Sequence, residues 1–462
     1  TEIIYDCYLE NSIVKKPTKL IKSNLLRVNR KLKKGKLQRK ISEMATRQPY
    51  LWVYIIFFIS FSLLKEAVIK NNLRVLNIYL SSPCVSNDEK AEALLVGVKE
   101  QATECVQCLL DSGADITVSG RSEKSLLMLA VSLNDHKTTK ILLEAKCNPN
   151  LKGNSRYAPL HIAAKSGFDD CAEQLINYGA NVNSKDSDGC TPLTCAVKSK
   201  CYRVIKMLLE APCDPNATDH DGRSALHYAS QRAMGITVEM LLNAGADPNI
   251  CDKQNNTALI IAASEGFDKI VSILSSAKCD VNISNNSARK TALHILSFKG
   301  HSTCIEDLIL AGADINSVDS ACKTPLFYAT DNNRFEVVKL LLKANSKVDL
   351  FQCSNGNPLE ACPVRMAFEK GFVNIIKLFI LTGYDNAHLK ECLSEDTVSE
   401  ECRSELSHWF HNASDVMALR GICRKWIRHH LGNMFYHDLK SLPIPDKLRD
   451  FLLMKELDSE IL

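Results

Sequence analysis

Thr191-Pro-Leu-Thr stands 33 residues after Ala158-Pro-Leu-His and 33 residues before Ser224-Ala-Leu-His. The apolar run Val204-Ile-Lys-Met-Leu-Leu209 follows the first of these, and Asn243-Ala-Gly-Ala-Asp-Pro-Asn249 closes the unit after it. The fold can be read from this stretch. A Thr or Ser at the anchor can cap a helix by accepting from one of its free N–H groups. Pro beside it suits the first helical position, where no N–H is needed. The Leu that follows is a core residue. The dense apolar run is a second helix, and a Gly after it can take the left-handed conformation that ends a helix. Asn and Asp then turn the chain. Each unit is expected to be helix, turn, helix and polar hairpin.

The same register runs outward in both directions. Ser125-Leu-Leu-Met, Ala158, Thr191, Ser224, Thr257-Ala-Leu-Ile, Thr291-Ala-Leu-His and Thr324-Pro-Leu-Phe begin 33, 33, 33, 33, 34 and 33 residues apart. Upstream, Glu92-Ala-Leu-Leu keeps the register loosely, and Ser62-Leu-Leu-Lys comes at a shorter spacing. Downstream, after an insertion near Phe351 to Cys362, Pro363-Val-Arg-Met-Ala-Phe-Glu-Lys-Gly opens one more unit. About ten repeats are expected over residues 62–386, degenerate at both ends as capping units are. No single unit buries enough to fold alone, so neighbours must stack. In period and anchor signature the array resembles the ankyrin repeat.

Composition sets limits. The chain has 462 residues, is 45% apolar and 24% charged, and carries a net charge of +4. It is globular, and nucleic-acid binding is not expected from so small a net charge. The 19 cysteines form no framework, and several fall inside apolar helical runs. They read as free thiols in a reducing compartment. The CxxC pair Cys105 and Cys108 has no second pair and no His at zinc spacing, so no metal is expected there. No phosphate loop, glycine fingerprint, zinc-protease motif or nucleophile elbow is present, and no cofactor is expected.

Residues 1–61 differ from the rest. Lys15 to Arg47 is rich in Lys and Arg with one acid, Glu43. It reads as a solvated, disordered arm, with a nuclear address or phosphate-binding patch as its functional alternative. The apolar run Tyr50 to Leu64 is shorter than the roughly 20 residues of a membrane helix. A cap on the first repeat is the expected role and a membrane anchor is not. The expected location is cytoplasmic, with the nucleus as the alternative.

An array of this kind presents a concave face of hairpin tips and first helices. Tyr157, Arg223, Lys290 and Lys323 precede anchors and are the candidate substrate face, together with Cys190 and Asn256 at the same position. The later hairpins lean basic, but Asp219, Asp221, Asp252 and Asp319 offset that charge, so ordinary solvated turns are expected. His161, His227 and His294 recur at one repeat position. The ankyrin resemblance implies that they hydrogen-bond beside the anchor and staple the turn.

The register fades over residues 387–414, expected to be a connecting helical segment. Ala418-Leu-Arg-Gly-Ile-Cys-Arg-Lys-Trp-Ile427 follows. Leu419, Cys423 and Ile427 share one helix face, the rest of which is basic, and so narrow an apolar stripe suits a partner's groove. Leu442-Pro-Ile-Pro445 breaks any helix, and Asp446-Lys-Leu-Arg-Asp-Phe-Leu-Leu453 is a last amphipathic one. Residues 415–462 resemble a SOCS box. Ala418, Leu419, Cys423 and Ile427 fill its BC box, and Leu442, Pro443, Ile444 and Pro445 fill its cullin box. The whole chain resembles the ankyrin repeat and SOCS box family. The expected fold is all-α, an ankyrin-repeat solenoid followed by a small three-helix SOCS box. The resemblance implies a substrate receptor that binds elongin C and elongin B through the BC box and cullin 5 with its RING partner through the cullin box. The protein substrate would sit on the ankyrin face, and no catalysis is expected from the chain itself. The alternative is an ankyrin scaffold without ligase activity, its tail acting as a structural cap.

Overall fold

The computed structural model describes residues 64–81, 85–117, 125–153, 156–348 and 362–382, with Ser404 and Leu406 as isolated helical positions. The arm over 1–61, most of the insertion and most of residues 387–462 lie outside the described residues. The chain forms two units, Thr1–Gly120 and Arg121–Leu462. The described residues are helical, with one isolated antiparallel bridge between Ser284 and Thr291. The expectation of an all-α repeat fold is met.

Among its described residues the first unit has two helix pairs, residues 64–69 with Leu73–Leu80 and Asn87–Lys99 with Thr103–Asp111. Leu64, Val68, Leu76, Leu94, Val98 and Leu109 are buried in it. The helix Asn87–Lys99 starts before the Glu92 anchor register. Ser86 supplies the cap, accepting from the Glu89 N–H at 3.3 Å while the Glu89 carboxylate accepts from the Ser86 N–H at 3.0 Å. A full capping box there outweighs a weak anchor inside the helix. Cys105 and Cys108 lie in Thr103–Asp111 as free thiols, and burial pushes the Cys105 thiol up to about 11.

The second unit has eight described helix pairs, from Leu126–Ser132 with His136–Glu144 to Pro363–Glu369 with Val373–Leu381. First helices pack on first helices and second helices on second helices, giving two layers. Leu160, Leu193, Leu226, Leu259, Leu293 and Leu326, each two residues past an anchor, are buried in one layer. Leu175, Leu208, Leu241, Leu274, Leu308 and Leu341 repeat the pattern in the other. The anchors cap as expected: the N–H groups of Thr194, Ile260 and Phe327 donate to the hydroxyls of Thr191, Thr257 and Thr324 at 3.3, 3.3 and 3.2 Å. Pro159, Pro192, Pro325 and Pro363 each occupy the first turn of a helix.

Two turns carry the stacking. In the hairpin, Gly189 has φ +81°, and a Cβ there would meet the His220 backbone nitrogen of the next hairpin at 2.9 Å. Only glycine allows that approach. After the second helix, an asparagine ties each repeat to the next. Asn150, Asn183, Asn216, Asn249, Asn282 and Asn316 accept at Oδ1 from the N–H groups of Asn181, Asp214, Asp247, Asp280, Asp314 and Lys347, all at 2.7–2.8 Å. The Asn216 amide also donates to the Gly245 carbonyl at 3.2 Å. The sequence pattern marks these residues only as turn formers. Asn216→Ala removes two inter-repeat hydrogen bonds and is expected to lower stability by about 1–2 kcal/mol, read from the urea midpoint. Asn286→Ala, whose exposed side chain makes no such bond, should stay within about 0.5 kcal/mol of the parent.

Twelve described cysteines are free thiols. One departs from the expectation, since Cys322 is disulfide-bonded. No helix among the described residues is long and apolar enough to cross a membrane.

Candidate binding face

The hairpins form a continuous row. The N–H groups of His220, Lys253, Asn286 and Ser320 donate to the carbonyls of Asp188, Asp221, Gln254 and Ala288 in the preceding hairpins at 2.9–3.0 Å. Each hairpin is closed from within by one acid or amide. Asp186, Asp219, Asp252, Asn285 and Asp319 each accept two backbone N–H groups of their own turn. Asp219 and Asp319 also accept the hydroxyls of Tyr228 and Tyr328, at 2.5 and 2.6 Å.

This corrects the charge argument made from sequence. Asp219, Asp252 and Asp319 are 9%, 5% and 3% exposed, so three of the four acids expected to offset the basic hairpins are inside the turns. Only Asp221 is on the surface. An aspartate has the short carboxylate that can reach the N–H groups two and four residues on, and burial follows from that geometry.

The candidate face residues occupy their hairpins but are half-buried. Tyr157 packs edge-on to His161 at 5.9 Å between ring centres. The Arg223 Nε lies 3.4 Å from the Asp252 carboxylate. The Lys290 ammonium lies 4.3 Å from the centre of the Tyr328 ring, and that of Lys323 lies 4.4 Å from the Phe327 ring. Phe327 and Tyr328 are 6.0 Å apart, so Lys290 and Lys323 share one aromatic cluster, whereas Tyr157 and Arg223 belong to other hairpins. Cys190 differs from its equivalents: it is buried, with the Lys198 ammonium 2.9 Å from its sulfur.

His161, His227 and His294 act across repeats as well as locally. Each ring accepts at Nδ1 from the N–H of Ala158, Ser224 or Thr291 at 3.1–3.2 Å. Each Nε2 faces a carbonyl of the next hairpin, Cys190, Asn256 or Lys323, at 3.1–3.2 Å. Nε2 is therefore the protonated nitrogen of a neutral ring. Burial lowers all three pKa values, against a smaller upward pull led by the facing carbonyl for His161 and His227 and by the Asp319 carboxylate for His294.

Like Asp252, Asp219 is a heavily engaged acid of the row. Besides its two turn N–H groups and Tyr228, the Lys198 ammonium lies 3.7 Å away. Burial alone would raise its pKa, but the Tyr228 hydroxyl and the turn N–H groups outweigh that and hold it below the ordinary range. Asp219→Ala is expected to cost about 3 kcal/mol, because it strands several buried donors at once. Thermal unfolding measures this, and a loss under about 1 kcal/mol would show that water replaces the carboxylate.

Ala418, Leu419, Cys423, Ile427, Leu442, Pro443, Ile444 and Pro445 lie outside the described residues. Among the described residues no group of three or more His, Cys, Asp or Glu could hold a metal ion.

Comparison with known proteins gives a consistent picture. The family described as ankyrin repeats (3 copies) matches residues 64–153, 127–219, 211–285 and 293–390. The SOCS box family matches residues 416–453. Among relatives, Ankyrin repeat and SOCS box protein 11 of Mus musculus is 28% identical over 165 residues, 35% of this chain and 48% of that protein. Ankyrin repeat and SOCS box protein 5 of Mus musculus is 27% identical over 161 residues, 34% of this chain and 47% of that protein. The chain thus spans about half the length of the relatives it matches. Among solved structures, the ankyrin repeat domain of Bcl-3 is 24% identical with a TM-score of 0.43, covering 46% of this chain and 96% of that one.

Proposed function

The chain belongs to the ankyrin repeat and SOCS box family, and from that we propose that it is the substrate-recognition subunit of an elongin B/C–cullin 5–RING ubiquitin ligase. The observation that carries this reading is the SOCS box match over residues 416–453, which encloses both the Ala418–Ile427 and the Leu442–Pro445 motifs. Leu419 would fill an apolar pocket of elongin C, with Cys423 and Ile427 packed behind it. Leu442, Pro443, Ile444 and Pro445 would select the cullin. The ankyrin face would hold a protein substrate, and catalysis would come from the ligase partners. The chain's contribution is proximity: a bound lysine meets charged ubiquitin at raised effective concentration. The working place is the cytoplasm, with the nucleus as the alternative if the basic run over residues 15–47 is a nuclear address and not a solvated arm.

Co-purification with elongin B and elongin C tests the reading. Wild type should form a stable ternary complex, and Leu419→Asp with Cys423→Asp should not. Leu419→Ala alone should weaken elongin binding by roughly 2–4 kcal/mol, as a buried hot spot does. If wild type binds no elongin, the tail is a structural cap and the protein is an ankyrin scaffold.

A further inference from the structure

We infer that the hairpins and first helices between Lys253 and Arg334 form a binding site for an acidic protein segment carrying an exposed aromatic or aliphatic side chain. The inference deepens the reading of the array as the substrate-binding element and rests on it. Three consecutive hairpins present Lys253, Arg289, Lys290 and Lys323, the first two exposed and the last two half-buried. The acids at their tips, Asp252 and Asp319, are used up inside the turns, and exposed Asp280 and Asp314 lie nearer the second-helix ends, each accepting an N–H of its own turn. The surface of this part of the row is therefore cationic, although its composition is mixed. The two lysines with the least freedom are also oriented: each ammonium is held over a ring, Lys290 on Tyr328 and Lys323 on Phe327. Held side chains lose less entropy on pairing with a carboxylate than free ones do.

An apolar contact adjoins the charge. Phe298 is 49% exposed and lies edge-on to Tyr328 at 6.3 Å between ring centres. Tyr328 thus joins an open aromatic ring to an oriented cation, the pairing found at binding hot spots. Half-buried Asp331, on the same helix as Tyr328, is already paired with Lys370 at 2.7 Å and does not compete for these cations. The exposed acid on these first helices is Glu265, the last residue of Ala258–Glu265, at the end of the helix opposite its Thr257 cap.

A protein segment fits this surface better than nucleic acid does. Phosphate recognition needs a long cationic track. The preceding hairpins instead expose Asp188 and Asp221, which would repel a strand running along the row. A short acidic segment is accommodated by four cations and one ring.

The test is fluorescence anisotropy on the full chain with a fluorescein-labelled, glutamate-rich peptide bearing one central phenylalanine. The parallel probes are the same peptide with every glutamate replaced by glutamine, and a single-stranded oligonucleotide. The glutamate peptide should bind, and binding should weaken as ionic strength rises past about 0.15 M. Lys290→Glu with Lys323→Glu should weaken it at least about tenfold. Lys253→Glu with Arg289→Glu, both at exposed positions, should do so without disturbing Tyr328. Phe298→Ala should weaken it several-fold, and Lys152→Glu on a distant hairpin should leave it unchanged. Equal binding of the glutamine peptide, no binding of either peptide, or wild-type affinity in the Lys253→Glu, Arg289→Glu variant would overturn the site. Tighter binding of the oligonucleotide would overturn it in favour of nucleic acid. Elongin co-purification is read independently, so failure here and failure of the ligase reading are distinguishable.

Discussion

Acidification from pH 7 to about 5 should lower the urea midpoint of the array, well before carboxylates begin to titrate. His161, His227 and His294 are buried, and each accepts a backbone N–H at Nδ1. A proton on Nδ1 would set two donors face to face inside the protein. Burial accordingly depresses all three folded-state pKa values below the ordinary imidazole value. The unfolded chain then binds protons that the folded chain refuses. The contribution of the neutral rings is fully present above about pH 6.5 and is lost as pH falls through the window down to the folded values. Each histidine adds to the fall of stability in that window, and the three act in the same direction. Replacing all three with glutamine costs stability at pH 7 but should flatten the slope between about pH 6.5 and 5. An unchanged slope in that variant would sink the assignment. Asp219 works in a separate window. Its depressed pKa makes its contribution present above about pH 3.9 and lost only below that.

The second large effect is expected from Phe327→Ala. Phe327 is 1% exposed in the first helix Pro325–Asp331 and carries Lys323 above its ring. Truncation removes a whole buried ring from the first-helix layer, at a cost of about 3–5 kcal/mol. Phe327→Leu keeps most of the volume and should cost under about 1.5 kcal/mol. In a stacked array each repeat is coupled mainly to its neighbours, so the damage should be local. Hydrogen exchange should quicken in Pro325–Asp331, Phe335–Lys343, Ala292–Lys299 and Pro363–Glu369, and remain slow in Pro192–Lys198. Uniformly faster exchange across the second unit would contradict nearest-neighbour coupling.

The helix-pair architecture was legible in the chain because each unit's caps, prolines and leucines act within a few residues of one another. The Thr191, Thr257 and Thr324 caps and the buried leucine two residues past each anchor need no knowledge of the neighbouring repeat. The tail motifs were legible for a similar reason, since both are short and local, and the SOCS box match covers them. The start of Asn87–Lys99 was missed because the Ser86–Glu89 capping box is a stronger local signal than the 33-residue register. The asparagine row from Asn150 to Asn316 recurs in the sequence, and that spacing could have marked it. Its bonds run from one repeat to the next, however, so its role appears only when repeats are stacked. Surface charge was the least legible quantity. Composition counts Asp219, Asp252 and Asp319 equally with Lys253 and Lys290, but a carboxylate that accepts its own turn's N–H groups is withdrawn from solvent while a lysine tip is not. Local chemistry along the chain therefore sets the repeat and its helices, whereas the sign of the binding face depends on which side chains stacking leaves exposed.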